Sequence, residues 1–212
     1  MVIQELRPWQ WHLSRRRYIV ADKYMNFQQL SSSESRGAYR IELRQNGSSI
    51  ALIAPHAGKI EPGTSEICRY IAGDDLTYYL FEGAKLSNNS DLHITSSRFD
   101  EPQGLAIAES ARFIITFHGQ SGEGLFVNVG GLASDLCQVV IESLIKGGYF
   151  AERQADRSLQ GLDKDNICNR GSSKQGVQLE ISRGLRNKII SDISEMKRFG
   201  LAIRSALRQC GH

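Results

Sequence analysis

The 212-residue chain has no run of about 18 apolar residues, and so no segment that reads as a membrane span. Its four cysteines, Cys68, Cys137, Cys168 and Cys210, are widely scattered and form no CxxC pair. That spacing excludes a zinc ribbon or a dithiol redox motif, and reduced, buried thiols are expected rather than disulfides. Charge of one sign is also scarce, since 26 Lys+Arg against 23 Asp+Glu leave a net charge of +3. No helix-turn-helix or zinc-finger spacing accompanies that small excess, which weakens a nucleic-acid-binding reading. Such a reading, as a replication accessory protein, rests on Arg15, Arg16 and Arg17 and on the basic tail from Lys188. No apolar stretch of secretory length follows the arginine triplet, so a cytoplasmic protein is expected.

What is present is an alternation of apolar strand-like and helix-like segments from Tyr24 onward. Tyr39–Arg44 alternates apolar and polar residues as a half-buried strand does, and Ser49–Ala54 is a continuous apolar run suited to a central strand. The Asn46-Gly47 pair between them signals a hairpin. Pro62 is placed to open a helix over Ser65–Ala72 that stops at Gly73. Strands are expected at Leu76–Phe81, Leu92–Thr95, Arg112–Phe117, Leu125–Val129 and Val177–Ile181. Helices are expected at Pro102–Ser110, at Ser134–Lys146, and as one or two segments over Arg183–Leu207. The alternation implies a three-layer α/β fold, a mixed central sheet flanked by helices. Residues 1–21 show neither period and read as an N-terminal extension to a single domain over 22–212.

In open sheets of this kind, sites form outside the carboxyl ends of central strands. His56 follows the strand Ser49–Ala54 in APHAGKIEPGTSE, and His118 follows Arg112–Phe117 in FHGQSGEG. Glu61 lies five residues after His56. Two histidines and a carboxylate on two strand ends match the ligand set of a catalytic zinc with one position left for water. His93, in LHITSSRFDEP, competes for the third position, with a structural role or a substrate contact as its alternatives. Glu180 is a lone acid in the apolar strand GVQLEIS, and so should face a polar site or a partner. Arg98, and Arg170 beside Asn169 in NICNRG, carry guanidinium groups that match a carboxylate in bidentate fashion. Glu66, Asp100 and Glu101 suggest no more than helix capping or surface charge.

The ordered segments APHAGKIEPGTSE, YLFEG, NNSDLHITSSRFDEP, FHGQSGEG, VNVGGL, NICNRG and GVQLEISRGLR together resemble the poly-γ-glutamate hydrolase family of bacilli and their phages. The resemblance runs from about Asp22 to Arg186. It implies a zinc-carboxypeptidase-like α/β domain that cuts amide bonds at γ-linked glutamate, a polyanionic substrate. By position it implies zinc ligands at His56, Glu61 and His118, and a general base at Glu180. Arg98, Asn169, Arg170, Arg183 and His93 are then the candidates for substrate contact. A zinc amidase for another acyl-glutamate or acyl-aspartate remains an alternative. Lys59, where a glycine-rich loop is expected after His56, departs from the family pattern.

Overall fold

The computed structural model describes residues 22–209. Seven strands and six α-helices follow the order α1 (Phe27–Ser33), β1 (Tyr39–Arg44), β2 (Ile50–Gly58), α2 (Thr64–Ala72), β3 (Thr77–Gly83), α3 (Pro102–Ser110), β4 (Phe113–Gln120), β5 (Phe126–Gly130), α4 (Ser134–Lys146), β6 (Phe150–Arg153), β7 (Val177–Ser182), α5 (Arg183–Ser191) and α6 (Ile193–Gln209). All the strands join one sheet in the order β1-β3-β2-β4-β7-β5-β6. β3, β2, β4 and β7 run parallel, while β1 is antiparallel to β3, and β5 to β7.

The continuous apolar run of β2 follows from burial on both faces. Ile50 and Leu52 enter a core formed with α2, α4, α5 and α6, whereas Ala51 and Ile53 enter a second core on the other face with α1 and α3. Three layers result, as the alternation of segments implies. The order of the strands also creates a switch point. The chain leaves β2 through α2 on one face to reach β3, then returns past β2 through α3 on the other face to reach β4. The crevice outside the carboxyl ends of β2 and β4 lies between these divergent connections.

Several local expectations are corrected. The Asn46-Gly47 turn does not close a hairpin, because β1 pairs with β3, and β2 with β3 and β4. Leu92–Thr95 is not a strand: a 3-10 turn covers Asn89–Leu92 and the chain then runs irregularly. Helix α2 starts at Thr64, two residues after Pro62. α1 and β6 form where the sequence carries no clear period. The final helical stretch is two helices that meet at Asp192. Cys68, Cys137 and Cys168 are buried free thiols, while Cys210 and the expected extension over residues 1–21 lie outside the described residues. No helix among the described residues is long and apolar enough to cross a membrane.

Candidate metal centre

β4 shows how the sequence aims its side chains. Ile115 and Phe117 point into the main core, so Thr116 and His118 face the opposite side. β7 repeats the arrangement: Val177, Leu179 and Ile181 are in the core, and Gln178 and Glu180 are on the other face. β4 and β7 are parallel neighbours with His118 in register with Glu180. β7 is an interior strand and Glu180 is buried, lining the same cavity as His118.

His56 lies near the end of β2, inside the irregularity between Ala54 and Ala57 in its pairing with β3. The loop to Glu61 is closed by the Glu61 N–H donating to the His56 carbonyl at 2.9 Å. Gly58 makes this turn feasible: its φ is +62°, and a Cβ there would stand 2.7 Å from the Gly83 carbonyl oxygen. The Gly119 N–H donates to Glu61 Oε2 at 2.7 Å and fixes the carboxylate against the end of β4.

Three donors converge. His56 Nδ1 and His118 Nδ1 face each other at 3.1 Å, with Glu61 Oε1 3.4 Å from the former and Oε2 3.8 Å from the latter. All the ligand atoms of this trio lie within 4.8 Å of one another. The tautomer suits metal ligation: His56 Nε2 meets the Ile94 carbonyl at 2.8 Å, so it carries the proton and leaves the Nδ1 lone pair for a ligand. Burial opposes protonation of His56, but the Glu61 carboxylate and the Ile94 carbonyl outweigh it and raise its pKa. Burial pushes His118 down to about 3, so it is neutral at ordinary pH. Burial opposes ionisation of Glu61 as well, yet the neighbouring imidazoles hold its carboxyl below the usual range. Two neutral-capable imidazoles and one carboxylate in a dry pocket, with a face open to a cavity of about 1250 Å³, fit a divalent cation of the zinc class.

His93 is not in the trio. Its ring lies 3.9 Å from that of His56, tilted by 30°, and its Nδ1 is 2.7 Å from Asp22 Oδ1. Asp22 gathers the wall around it, accepting also from the Thr95 N–H, the Thr95 hydroxyl and Arg98 Nη2, each at 2.7 Å. Burial raises the Asp22 carboxyl, but the hydrogen bonds from His93 and Thr95 overcome this and leave it strongly acidic. Arg98 and His93 both line the cavity. The other candidates do not. Asn169 is buried, donating to the Gly161 and Asp163 carbonyls and accepting from the Gly176 N–H, so its amide staples the segment after β6. Arg170 donates to the Asp165 carbonyl and Arg183 to Asn187 Oδ1, both away from the cavity wall. Lys59 is drawn off to the Lys85 carbonyl. Glu101 caps α3 through the Gly104 N–H, as its capping role implies.

Two supporting residues escaped the sequence reading. Gln178 receives a hydrogen bond from Asn166 Nδ2 at 2.9 Å and donates to Glu180 Oε1 at 3.0 Å, which positions that carboxylate. The alternation of Gln178 with Glu180 in an apolar strand was the available signal. Arg186 is buried on α5, and its guanidinium donates to the carbonyls of Ile181, Pro62 and Gln120. It ties the Glu61 loop, the end of β4 and the end of β7 together. The packing against Gly119 is so close that a Cβ there would stand 2.5 Å from the guanidinium carbon. Arg186→Met should leave buried carbonyls without donors, at about 1–3 kcal/mol for each group that finds no substitute. We expect a lower Tm together with roughly 10–100-fold weaker metal affinity, the usual range for losing a group that orients ligands. Arg186→Lys should recover part of both. A chelator-competition titration beside thermal melts checks this, and unchanged affinity in the Met variant would remove the bracing role.

The profile of the family described as Poly-gamma-glutamate hydrolase matches residues 24–200. UPF0714 protein YmaC of Bacillus subtilis is 38% identical over 173 residues, which span 81% of this chain and 73% of that protein. The structure of a bacteriophage poly-gamma-glutamate hydrolase is similar at 36% identity with a TM-score of 0.83, over 89% of this chain and 98% of that one. A zinc-free apo structure of YndL is similar at 30% identity with a TM-score of 0.85, again over 89% and 98% of the two chains.

Proposed function

This chain belongs to the poly-gamma-glutamate hydrolase family, and from that premise we propose that it is a zinc-dependent hydrolase of γ-glutamyl amide bonds with Glu180 as general base. The observation that carries this reading is the convergence of His56, Glu61 and His118 at the switch point, with Glu180 in register beside His118. That the similar YndL structure is a zinc-free apo form supports zinc as the cation for this donor set.

His56 Nδ1, His118 Nδ1 and Glu61 would hold the ion. When bound, zinc acidifies a water and polarises the scissile carbonyl. The protein supplies the rest. Glu180 takes a proton from the attacking water and returns it to the departing amide nitrogen. Gln178 holds the Glu180 carboxylate through Oε1, so its orientation is set before substrate arrives. The ring of His93, backed by Asp22, forms the cavity wall beside His56 and can donate to a substrate oxygen. Arg98 stands on the same wall, its charge already matched by Asp22, so its role is to shape the wall more than to attract.

The test is a panel of γ- and α-linked glutamyl amides, with acyl-glutamate and acyl-aspartate amides included. Hydrolysis of the γ-linked members alone is expected. Activity should vanish on prolonged chelation and return when zinc is restored. Cleavage of acyl-aspartate or α-linked substrates at higher efficiency would replace the γ-glutamyl assignment, and activity in fully metal-stripped protein would refute the zinc dependence.

A further inference from the structure

The described wall of the cavity carries more carboxylates than cations. Among the described residues its lining holds six carboxylates, Asp22, Glu61, Asp91, Asp156, Asp163 and Glu180, against three Lys/Arg cations, Lys23, Arg98 and Arg157. Two of those cations are already matched: Lys23 Nζ is 3.1 Å from Asp91, and Arg98 Nη2 is 2.7 Å from Asp22. Arg157 pairs with no carboxylate among the described residues. Among the described residues, an acidic substrate meeting this surface finds one guanidinium whose charge is not already spent on a carboxylate.

The backbone beneath Arg157 is braced. Arg157 opens the 3-10 turn Arg157–Leu159, which Asp156 caps by accepting from the Ser158 N–H at 2.9 Å and the Ser158 hydroxyl at 2.7 Å. The Leu159 carbonyl accepts from Gln178 Nε2 at 3.0 Å, and the Gly131 N–H donates to the Gln160 carbonyl at 2.7 Å. Gln178 is the residue that also donates to Glu180. One side chain therefore ties the turn bearing the unpaired cation to the carboxylate assigned as base. A guanidinium carried on a fixed turn gives up less freedom on binding than one on a loose loop, and its planar fork matches a carboxylate with two parallel hydrogen bonds.

In a γ-linked glutamyl chain each unit presents a free α-carboxylate a few bonds from the amide to be cut. We infer that Arg157 is the receptor for such an α-carboxylate, a specificity-determining residue that sets the acidic unit in register with Glu180. The inference rests on the γ-glutamyl reading of the site and deepens it.

The test compares a γ-linked glutamyl oligomer with the same oligomer whose α-carboxylates are converted to carboxamides. Zinc-loaded wild type, Arg157→Gln and Arg157→Lys are assayed on both. The preference for the carboxylate form, read as the ratio of kcat/KM values, should fall about tenfold in Arg157→Gln through KM, the usual scale for losing a hydrogen bond to a charged group. Arg157→Lys should recover part of it. The same ratio is measured as binding affinity by calorimetry in the Glu180→Gln protein, with and without Arg157→Gln, so that the grip is read independently of turnover. A carboxylate preference that Arg157→Gln leaves unchanged in the binding arm overturns the inference. Wild type that hydrolyses neither oligomer sinks the γ-glutamyl reading instead, and the binding arm still decides the role of Arg157.

Discussion

Replacing Glu180 by Gln is expected to cut turnover of a γ-glutamyl oligomer by about 10²–10⁴-fold, the range a positioned general acid–base contributes, with zinc content unchanged. The substitution is nearly isosteric on an interior strand where the side chain is buried. The new carboxamide can still accept from Gln178, so that hydrogen bond survives. What is lost is the ability to take a proton from water and hand it on. Zinc should stay bound because the trio is His56, Glu61 and His118, and Glu180 is a strand neighbour of one member of it. Steady-state kinetics with elemental analysis on the same preparation separates the two effects. A rate within a few-fold of wild type would remove Glu180 from the mechanism. A variant that lost zinc would instead make Glu180 part of the ion's support.

The contrast between Glu180 and its surroundings explains how far the sequence could be read. A lone carboxylate between Leu179 and Ile181 is costly unless something polar faces it, and that cost made it visible without any contact being known. His56 and His118 were visible for a related reason, since each ends an apolar run that had to be a central strand. The boundaries of α3 and α4 also emerged directly, because Pro102 and Gly147 punctuate their periods. The failures were of another kind. Asn46-Gly47 is a competent turn, but a turn cannot name its strand's partner. β2 is apolar on both faces and must sit between β3 and β4, whereas half-polar β1 is pushed to the edge beyond β3. Leu92–Thr95 alternates for four residues, too few to outweigh the contacts that Asp22 makes with His93, Thr95 and Arg98. Those contacts span 71 to 76 positions, and the Arg186 contact with Pro62 spans 124. No local period encodes such distances. Asn169 and Arg170 stand off the cavity lining for a similar reason: the fold uses the Asn169 amide to hold the segment after β6 closed, a contact no local pattern encodes.

Removing one donor of the trio should have the larger effect on the ion itself. His118→Ala is expected to take the protein from about one zinc per chain to essentially none, because a catalytic site with three protein ligands that loses one keeps too few. Activity should fall with it. The fold should persist, since Phe117, Ile115 and their partners on β7 supply the packing of β4 while the imidazole faces the cavity. A melting curve that remains cooperative checks that point. Acid should empty the wild-type site by a different route. A metal needs its histidines neutral, and protons compete for them. His118 poses no barrier near neutrality, since its pKa lies at about 3. His56 does, because the Glu61 carboxylate and the Ile94 carbonyl outweigh burial and raise its pKa above the ordinary histidine value. Zinc affinity should therefore weaken as pH falls through the titration of His56, and Glu61→Gln, which takes away the charge that raises it, should move that transition to lower pH even as it weakens binding overall. Elemental analysis after dialysis at stepped pH would follow both. Full zinc retention by His118→Ala, or a wild type that takes up no zinc when it is offered, would remove the metal centre from the account and leave the arrangement of the two histidines and Glu61 as a hydrogen-bonded cluster.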